Sequence, residues 1–333
     1  MEPEQNILLV RLKSIGDIVL TLPAVHAVRE NFPNAKLHFL VSREFAPIVR
    51  GFRDVDEIIP LDRAVYRQGN LKTMGRSAFN LLRDLRQKSF STVVDFQGYG
   101  ETELLAWWSG APERWGNVYH PARGWSYTRG VARNDHLQIA DWNLSLLREC
   151  GLKIGTVRNE FALPPDALAR AKKFYAANNL DENKPTLYLQ PFTSAPKKDW
   201  PLKNYMKLAW HWQGRGVQIL FGGGMADRSA LEPAGAAGFP VSIGAPLLVS
   251  AGIIKLSTLA VGGVTGFLHL AVAMQKRVVM LVGPANEPGF PYQHRDWGIT
   301  PSTGSLAAEI QIEPVIEACA RAFEELGAGR PNS

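Results

Sequence analysis

The strongest constraint on the fold is an alternation that runs twice along the chain, in which short apolar or β-branched runs are separated by amphipathic stretches of helical period. Such runs read as strands buried on both faces, and the stretches between them as crossover helices, which together specify parallel sheets. In the first half the pattern predicts strands at 7–10, 37–41, 57–60, 92–96 and 114–118, and helices at 18–31, 43–51, 71–88, 101–109 and 138–150. A proline-bounded stretch at 163–185 carries one helix, 167–178. The alternation then restarts with strands at 186–190, 217–221, 258–261 and 278–282 and helices at 202–213, 246–255, 266–275 and 313–326. A chain of 333 residues exceeds what one hydrophobic core usually supports. The expectation is therefore two doubly wound α/β domains, 1–165 and 166–333, with the final helix free to pack back on the first. Ligands of such sheets bind at the carboxyl ends of the strands, here in a cleft that the two domains share.

At 46% hydrophobic and 20% charged residues, the composition suits a globular protein and excludes a disordered or membrane-spanning one. Cys150 and Cys319 form no CxxC pair, so neither a disulfide framework nor a zinc site is expected, and a reducing compartment is. The amino terminus has no signal-peptide pattern, which points to the cytoplasm with membrane contact at the surface only. Net charge is +6, and residues 63–88 alone carry seven cations (Arg63, Arg67, Lys72, Arg76, Arg83, Arg86, Lys88) against Asp84. Tyr66, Gln68, Gly69, Asn70 and Gly75 make the first part of that segment read as a mobile loop that captures an acidic acceptor, and 83–88 as a solvated helix face. Nucleic acid is not expected as a partner, because no helix-turn-helix, zinc finger or RNA-binding sheet motif occurs and the nine tryptophans are dispersed.

Four stretches could carry chemistry. Strand 7–10 runs into Arg11, Leu12, Lys13, Ser14, Ile15, Gly16 and Asp17; Asp17 can either cap the following helix or stand at the mouth of a ligand site. A GxGxxG fingerprint is absent there, which removes most support for a nicotinamide cofactor. The loop at 191–201 offers Thr193, Ser194, Lys197 and Lys198 ahead of a helix, a set suited to a diphosphate, although a solvated turn with Trp200 packed on the helix fits equally. Gly222, Gly223 and Gly224 at a strand end fit either close passage of a ligand or a flexible turn. The stretch 262–271 places Thr265 and Gly266 at a helix start, where free amides hold phosphate oxygens, with His269 one turn on and readable as a packed core residue. Asp54 and Asp56 are read as turn and strand-start residues and not as metal ligands, and no nucleophile motif occurs.

Taken in order, these stretches resemble glycosyltransferase family 9, the ADP-heptose:lipopolysaccharide heptosyltransferases. The likeness lies in residues 10–24, in the Asp95-x-Gln97-Gly98 element, in 109–116, in Lys198-Asp199-Trp200-Pro201, in Thr265-Gly266-x-x-His269 and in Gly283-Pro284. The resemblance implies a GT-B fold, two Rossmann-like domains with the acceptor on the first and the nucleotide sugar on the second. It implies inverting, metal-independent transfer from ADP-heptose to an acidic lipopolysaccharide inner-core acceptor at the inner face of the inner membrane, with no cofactor. Asp17 would be the general base. Thr193, Ser194, Lys198, Gly222, Gly223, Thr265, Gly266 and His269 would hold the donor, and Lys13, Ser14, Gly16, Arg63, Arg67, Lys72, Arg76 and Gln97 the acceptor. One departure stands out: the family usually has Asp before the Thr-Gly pair, and this chain has Val264. Asn286 or Glu287 would stand in for the missing acid. The alternatives are a member using another sugar or acceptor, and a non-catalytic homologue that binds glycan or lipid.

Overall fold

The computed structural model describes residues 5–65, 70–120, 124–283 and 289–327. The chain divides into two compact units, Met1–Phe161 and Ala162–Ser333. In the first, β1 (Asn6–Val10), β2 (Lys36–Ser42), β3 (Glu57–Leu61), β4 (Thr92–Asp95), β5 (Glu113–Val118) and β6 (Arg129–Ala132) form a parallel sheet in the order β3-β2-β1-β4-β5-β6. Its helices are α1 (Ile15–Val19), α2 (Leu22–Asn31), α3 (Ala46–Val49), α4 (Leu71–Gln87), α5 (Gly100–Trp108) and α6 (Ile139–Glu149). The second unit begins with α7 (Pro165–Ala177). It then builds β7 (Thr186–Gln190), β8 (Gln218–Gly223), β9 (Val241–Ile243), β10 (Leu259–Gly263), β11 (Val278–Leu281) and β12 (Gly298–Ile299) into the order β12-β11-β10-β7-β8-β9, again all parallel. Its remaining helices are α8 (Leu202–Gln213), α9 (Glu232–Ala236), α10 (Leu247–Leu256), α11 (Gly266–Ala273) and α12 (Ile312–Glu325).

The two sheets share one topology. The chain winds outward from the first strand to one side, then returns to wind outward on the other, so β1 lies between β2 and β4 and β7 between β8 and β10. Loops leaving the carboxyl ends of these central pairs diverge to opposite faces, and the crevice left there is where doubly wound sheets bind ligands. Burial fixes β1 at the centre: Ile7, Leu8, Leu9 and Val10 have no exposed surface, and each such side chain contributes about 1.5–3 kcal/mol over an exposed one. In the second unit α12 buries Val315, Cys319 and Phe323 in the same apolar cluster as Leu189, Val261 and Trp212. Among the described residues no helix is long and apolar enough to cross a membrane.

Two differences from the sequence reading have physical causes. The helix expected at 18–31 is two helices, α1 and α2, because Pro23 has no N–H to donate and is accommodated only in a first turn; the Thr21 hydroxyl bonds the Ile18 carbonyl (2.6 Å) at the break. Strands β6, β9 and β12 were not predicted. Each is an edge strand of two to four residues, too short and too little buried to leave an apolar run.

At the opposite edge β3 is held by charge. The Glu57 carboxylate takes Lys88, lies 3.0 Å from Lys36 Nζ and 3.4 Å from His38 Nδ1. Its hydrogen bond with Lys88 outweighs the opposing effect of burial and, with Lys36, brings its pKa down to about 2 from 4.5. A depressed carboxylate pKa stabilises the fold above the unfolded value, and that stability is lost as pH falls through the folded value. Glu57→Gln should therefore lower stability at neutral pH by about 1 kcal/mol, the screened worth of a partly exposed pair, and should flatten the acid loss of stability between pH 4.5 and about 2. Urea unfolding across that pH range checks this.

Candidate active site

The first crevice is organised by a buried arginine. Arg11, at the end of β1, is 1% exposed, and its guanidinium donates to the Lys13 and Phe96 carbonyls and to Asp17 Oδ2 at 2.8 Å. Burial opposes its charge, but Asp17 and Tyr119 more than offset this, and its pKa is raised. The Ser14 amide (3.1 Å) and hydroxyl (3.2 Å) also donate to Asp17 Oδ2. Asp17 thus does cap α1, as one of its two readings had it, yet among the described residues no hydrogen bond reaches Oδ1, and the side chain keeps 30% of its surface exposed. One oxygen fixes the carboxylate and, among the described residues, the other has no hydrogen bond. Lys13 extends beside this group, its ammonium 5.7 Å from the Tyr99 ring centroid, a cation–π arrangement.

The neighbouring strand end holds the loop from below. Gln97 is buried, and its side-chain oxygen accepts from the Leu12 (3.1 Å) and Lys13 (3.3 Å) amides. Asp95 Oδ1 takes the Gln97 (2.8 Å) and Gly98 (3.1 Å) amides, and Oδ2 takes the Tyr127 hydroxyl at 2.6 Å. Burial raises the pKa of both Asp95 and Tyr127, and the Asp95 carboxylate pushes Tyr127 further up. Gly98 has φ +67°, and a Cβ there would overlap the Asn117 carbonyl, so the turn needs glycine. The structure thus brings Lys13, Ser14, Gly16, Asp17 and Gln97 together, with Gln97 beneath the loop.

The cationic residues expected for the acceptor are elsewhere in the unit. Arg63 pairs with Glu101 of α5 at 2.9 Å, and Lys72 and Arg76 are exposed on α4; Arg67, with Tyr66, Gln68 and Gly69, lies outside the described residues. Asn70 and Gly75 do not belong to a mobile loop: Asn70 caps α4, its side chain accepting from the Thr73 amide at 2.9 Å, and Gly75 is inside the helix. Asp54 pairs with His26 (3.0 Å) and Asp56 with Arg29, so both carboxylates are committed within the fold. Burial pushes the thiols of Cys150 and Cys319 up, the former to about 11, which leaves neither as a nucleophile.

In the second unit the loops after β7 and β10 meet. A Cβ on Gly263 would lie 2.8 Å from Thr193 Cγ2 and 3.2 Å from the Lys198 carbonyl, so the glycine lets the two loops touch. The Thr193 hydroxyl donates to the Ala195 carbonyl (2.9 Å), its amide donates to Asp199 Oδ1 (2.7 Å), and Ser194 and Lys198 stay exposed. Trp200 is buried, donating to the Ile310 carbonyl at 2.8 Å and meeting Tyr205 of α8 edge-on, as the packed-tryptophan reading of this loop had it. Thr265 is the N-cap of α11, its side chain accepting from the Leu268 amide at 3.3 Å; Gly266 opens the helix, and His269 is buried one turn on. Gly222 has a packing reason, since a Cβ there would overlap the Tyr188 hydroxyl, while Gly223 ends β8 beside Leu231 and Asp227. Val264 sits half-buried between β10 and Thr265; Asn286 and Glu287 lie outside the described residues. The sequence reading assigned no role to Arg11, Asp95 or Tyr127. A cation directly following an apolar strand was the available signal.

Comparison with known proteins extends over most of the chain. The family description "Glycosyltransferase family 9 (heptosyltransferase)" matches residues 78–312. Lipopolysaccharide heptosyltransferase 1 of Pseudomonas aeruginosa is 25% identical over 295 residues, covering 86% of this chain and 80% of that protein. Lipopolysaccharide heptosyltransferase 2 of Escherichia coli is 23% identical, covering 87% and 86%. Among solved structures, a family 9 glycosyl transferase from Veillonella parvula superposes with a TM-score of 0.85 at 20% identity over 98% of this chain and 99% of that one. The E. coli heptosyltransferase WaaC with ADP gives 0.76 at 19% identity over 96% and 100%. The fold is that of the GT-B heptosyltransferases.

If Gln97 braces the Arg11–Asp17 loop, Gln97→Leu leaves the buried Leu12 amide and the part-buried Lys13 amide without an acceptor and should cost about 1–3 kcal/mol of stability. Chemical denaturation measures it, and an unchanged midpoint would contradict the assignment.

Proposed function

Because the chain belongs to glycosyltransferase family 9, the heptosyltransferases, we propose that it moves a heptose from ADP-heptose to an acidic lipopolysaccharide inner-core acceptor. Membership makes it a glycosyltransferase. The curated relatives are lipopolysaccharide heptosyltransferases, and one solved neighbour is WaaC with ADP-2-deoxy-2-fluoro heptose. The observation that carries the mechanism is Asp17, fixed through Oδ2 by Arg11 and Ser14 at the switch point of the first sheet.

In this reading Asp17 Oδ1 takes the proton of the acceptor hydroxyl as its oxygen attacks the anomeric carbon of the sugar. The new C–O bond forms on the face opposite the bond to the diphosphate, which breaks with its electron pair passing to ADP, so the configuration inverts. The charge on departing ADP meets the Lys198 ammonium, the Ser194 hydroxyl and the free amides at the start of α11, groups that do this work without a metal ion or cofactor. Thr193 and Gly263 shape that loop pair, while Gly222 packs against Tyr188 and His269 is buried in α11. Lys13 flanks the acceptor, which is anionic, and catalysis takes place at the cytoplasmic face of the inner membrane.

Val264 favours a second reading, in which the same reaction uses another sugar. A branched hydrocarbon cannot accept the hydroxyl hydrogen bonds that a carboxylate would, and a site lacking such a partner discriminates less. A donor panel separates the two: ADP-heptose should give the highest kcat/KM, and a faster ADP-hexose or a UDP or GDP sugar would establish the second reading. Asp17→Asn should lower kcat by about 10²–10⁴ with ADP affinity unchanged, and a chelator should leave the rate as it was. Turnover of Asp17→Asn close to wild type would remove Asp17 as the base.

A further inference from the structure

We propose that one face of the first unit, formed by α4, α5 and Trp125, docks on an anionic lipid bilayer. This rests on the reading that the acceptor is membrane-borne. Along α4, Lys72, Arg76, Phe79, Arg83 and Arg86 recur at intervals of four, three, four and three residues, so they form one stripe along the helix. All five are exposed, Phe79 at 65%, in the middle of four cations. On α5, Leu104, Trp107 and Trp108 share a face by the same spacing and are 48%, 48% and 41% exposed. Trp125, 63% exposed, lies 6.0 Å from Trp107, ring centre to ring centre.

The two helices present these groups together. Arg86 of α4 donates to the Trp108 carbonyl at 3.2 Å, and an apolar groove of about 320 Å³ runs between Ala78, Leu81 and Leu82 of α4 and Leu104 and Leu105 of α5. Water-facing surfaces seldom hold a cluster of bare tryptophans, whereas the bilayer interface favours indole rings, and nearby lysines and arginines are drawn to anionic headgroups. The cationic stripe beside the aromatic cluster makes an acidic lipid surface the occupant that complements both.

The test is cosedimentation of the full chain, without nucleotide, with phosphatidylcholine vesicles that contain or lack phosphatidylglycerol. Binding should require phosphatidylglycerol, weaken with salt, and fall by about tenfold or more in Phe79→Ser/Arg83→Glu, since each cation near the surface is worth roughly fivefold. Trp107→Ser/Trp125→Ser should lose binding comparably, and both variants should keep wild-type ADP affinity and thermal midpoint. Binding by both variants at the wild-type level, or no binding by wild type, would overturn the inference. So would a wild-type dimer that the tryptophan variant converts to monomer without any vesicle binding, because the face would then join two copies of the chain. A protein that docks but transfers no sugar refutes the proposed reaction and not the surface; one that transfers to a delipidated acceptor but never docks refutes only the surface.

Discussion

The first unit's site depends on a positive charge placed where water cannot reach it. A buried guanidinium is costly unless every direction it points in offers an acceptor, and Arg11 finds them in the Lys13 and Phe96 carbonyls and the Asp17 carboxylate. Those partners come from two loops that leave adjacent strands, β1 and β4, so satisfying one side chain joins the loops on either side of the switch point. Gln97 adds two bonds from the β4 side to the β1 side, and Asp95 with Tyr127 fixes Gln97's own turn. The carboxylate proposed as the base is thereby held by its neighbours through one oxygen.

In the second unit the loop pair is built, among the described residues, without a buried charge. Its loops after β7 and β10 approach because Gly263 has no side chain to keep Thr193 away, and the groups proposed to hold the diphosphate are a helix start capped by Thr265 and the exposed Ser194 and Lys198. Backbone amides and small residues fit a phosphate that must enter and leave, while the fixed ion pair fits a group that must hold one orientation through turnover.

Much of this was legible in the sequence. The central strands announce themselves because burial on both faces demands continuous apolar runs, and Thr265 after its glycines marks a helix start, whereas Pro23 was read through and the break before it missed. The edge strands β6, β9 and β12 were silent, since a strand buried on one side and a few residues long leaves no period to read. Asp17 was visible as a candidate, but its two readings could not be separated, and the structure shows why: it caps the helix with one oxygen and leaves the other available. The role of Arg11 was hidden, because its partners at Phe96 and Asp17 meet only when β1 and β4 pair. The cationic segment misled in part. Its glycine and asparagine read as loop, yet Asn70 is a cap and Gly75 is helical, so the charges form an ordered stripe on α4.

In the proposed reaction Asp17 faces the acceptor with the oxygen its neighbours leave unused. A crystal structure of the chain with a non-reactive fluorinated donor and an acceptor bound measures this directly. The acceptor hydroxyl should lie about 2.6–3.2 Å from Asp17 Oδ1, within reach for proton transfer. A hydroxyl out of hydrogen-bonding range of Asp17, with another side chain in its place, would rule Asp17 out as the base.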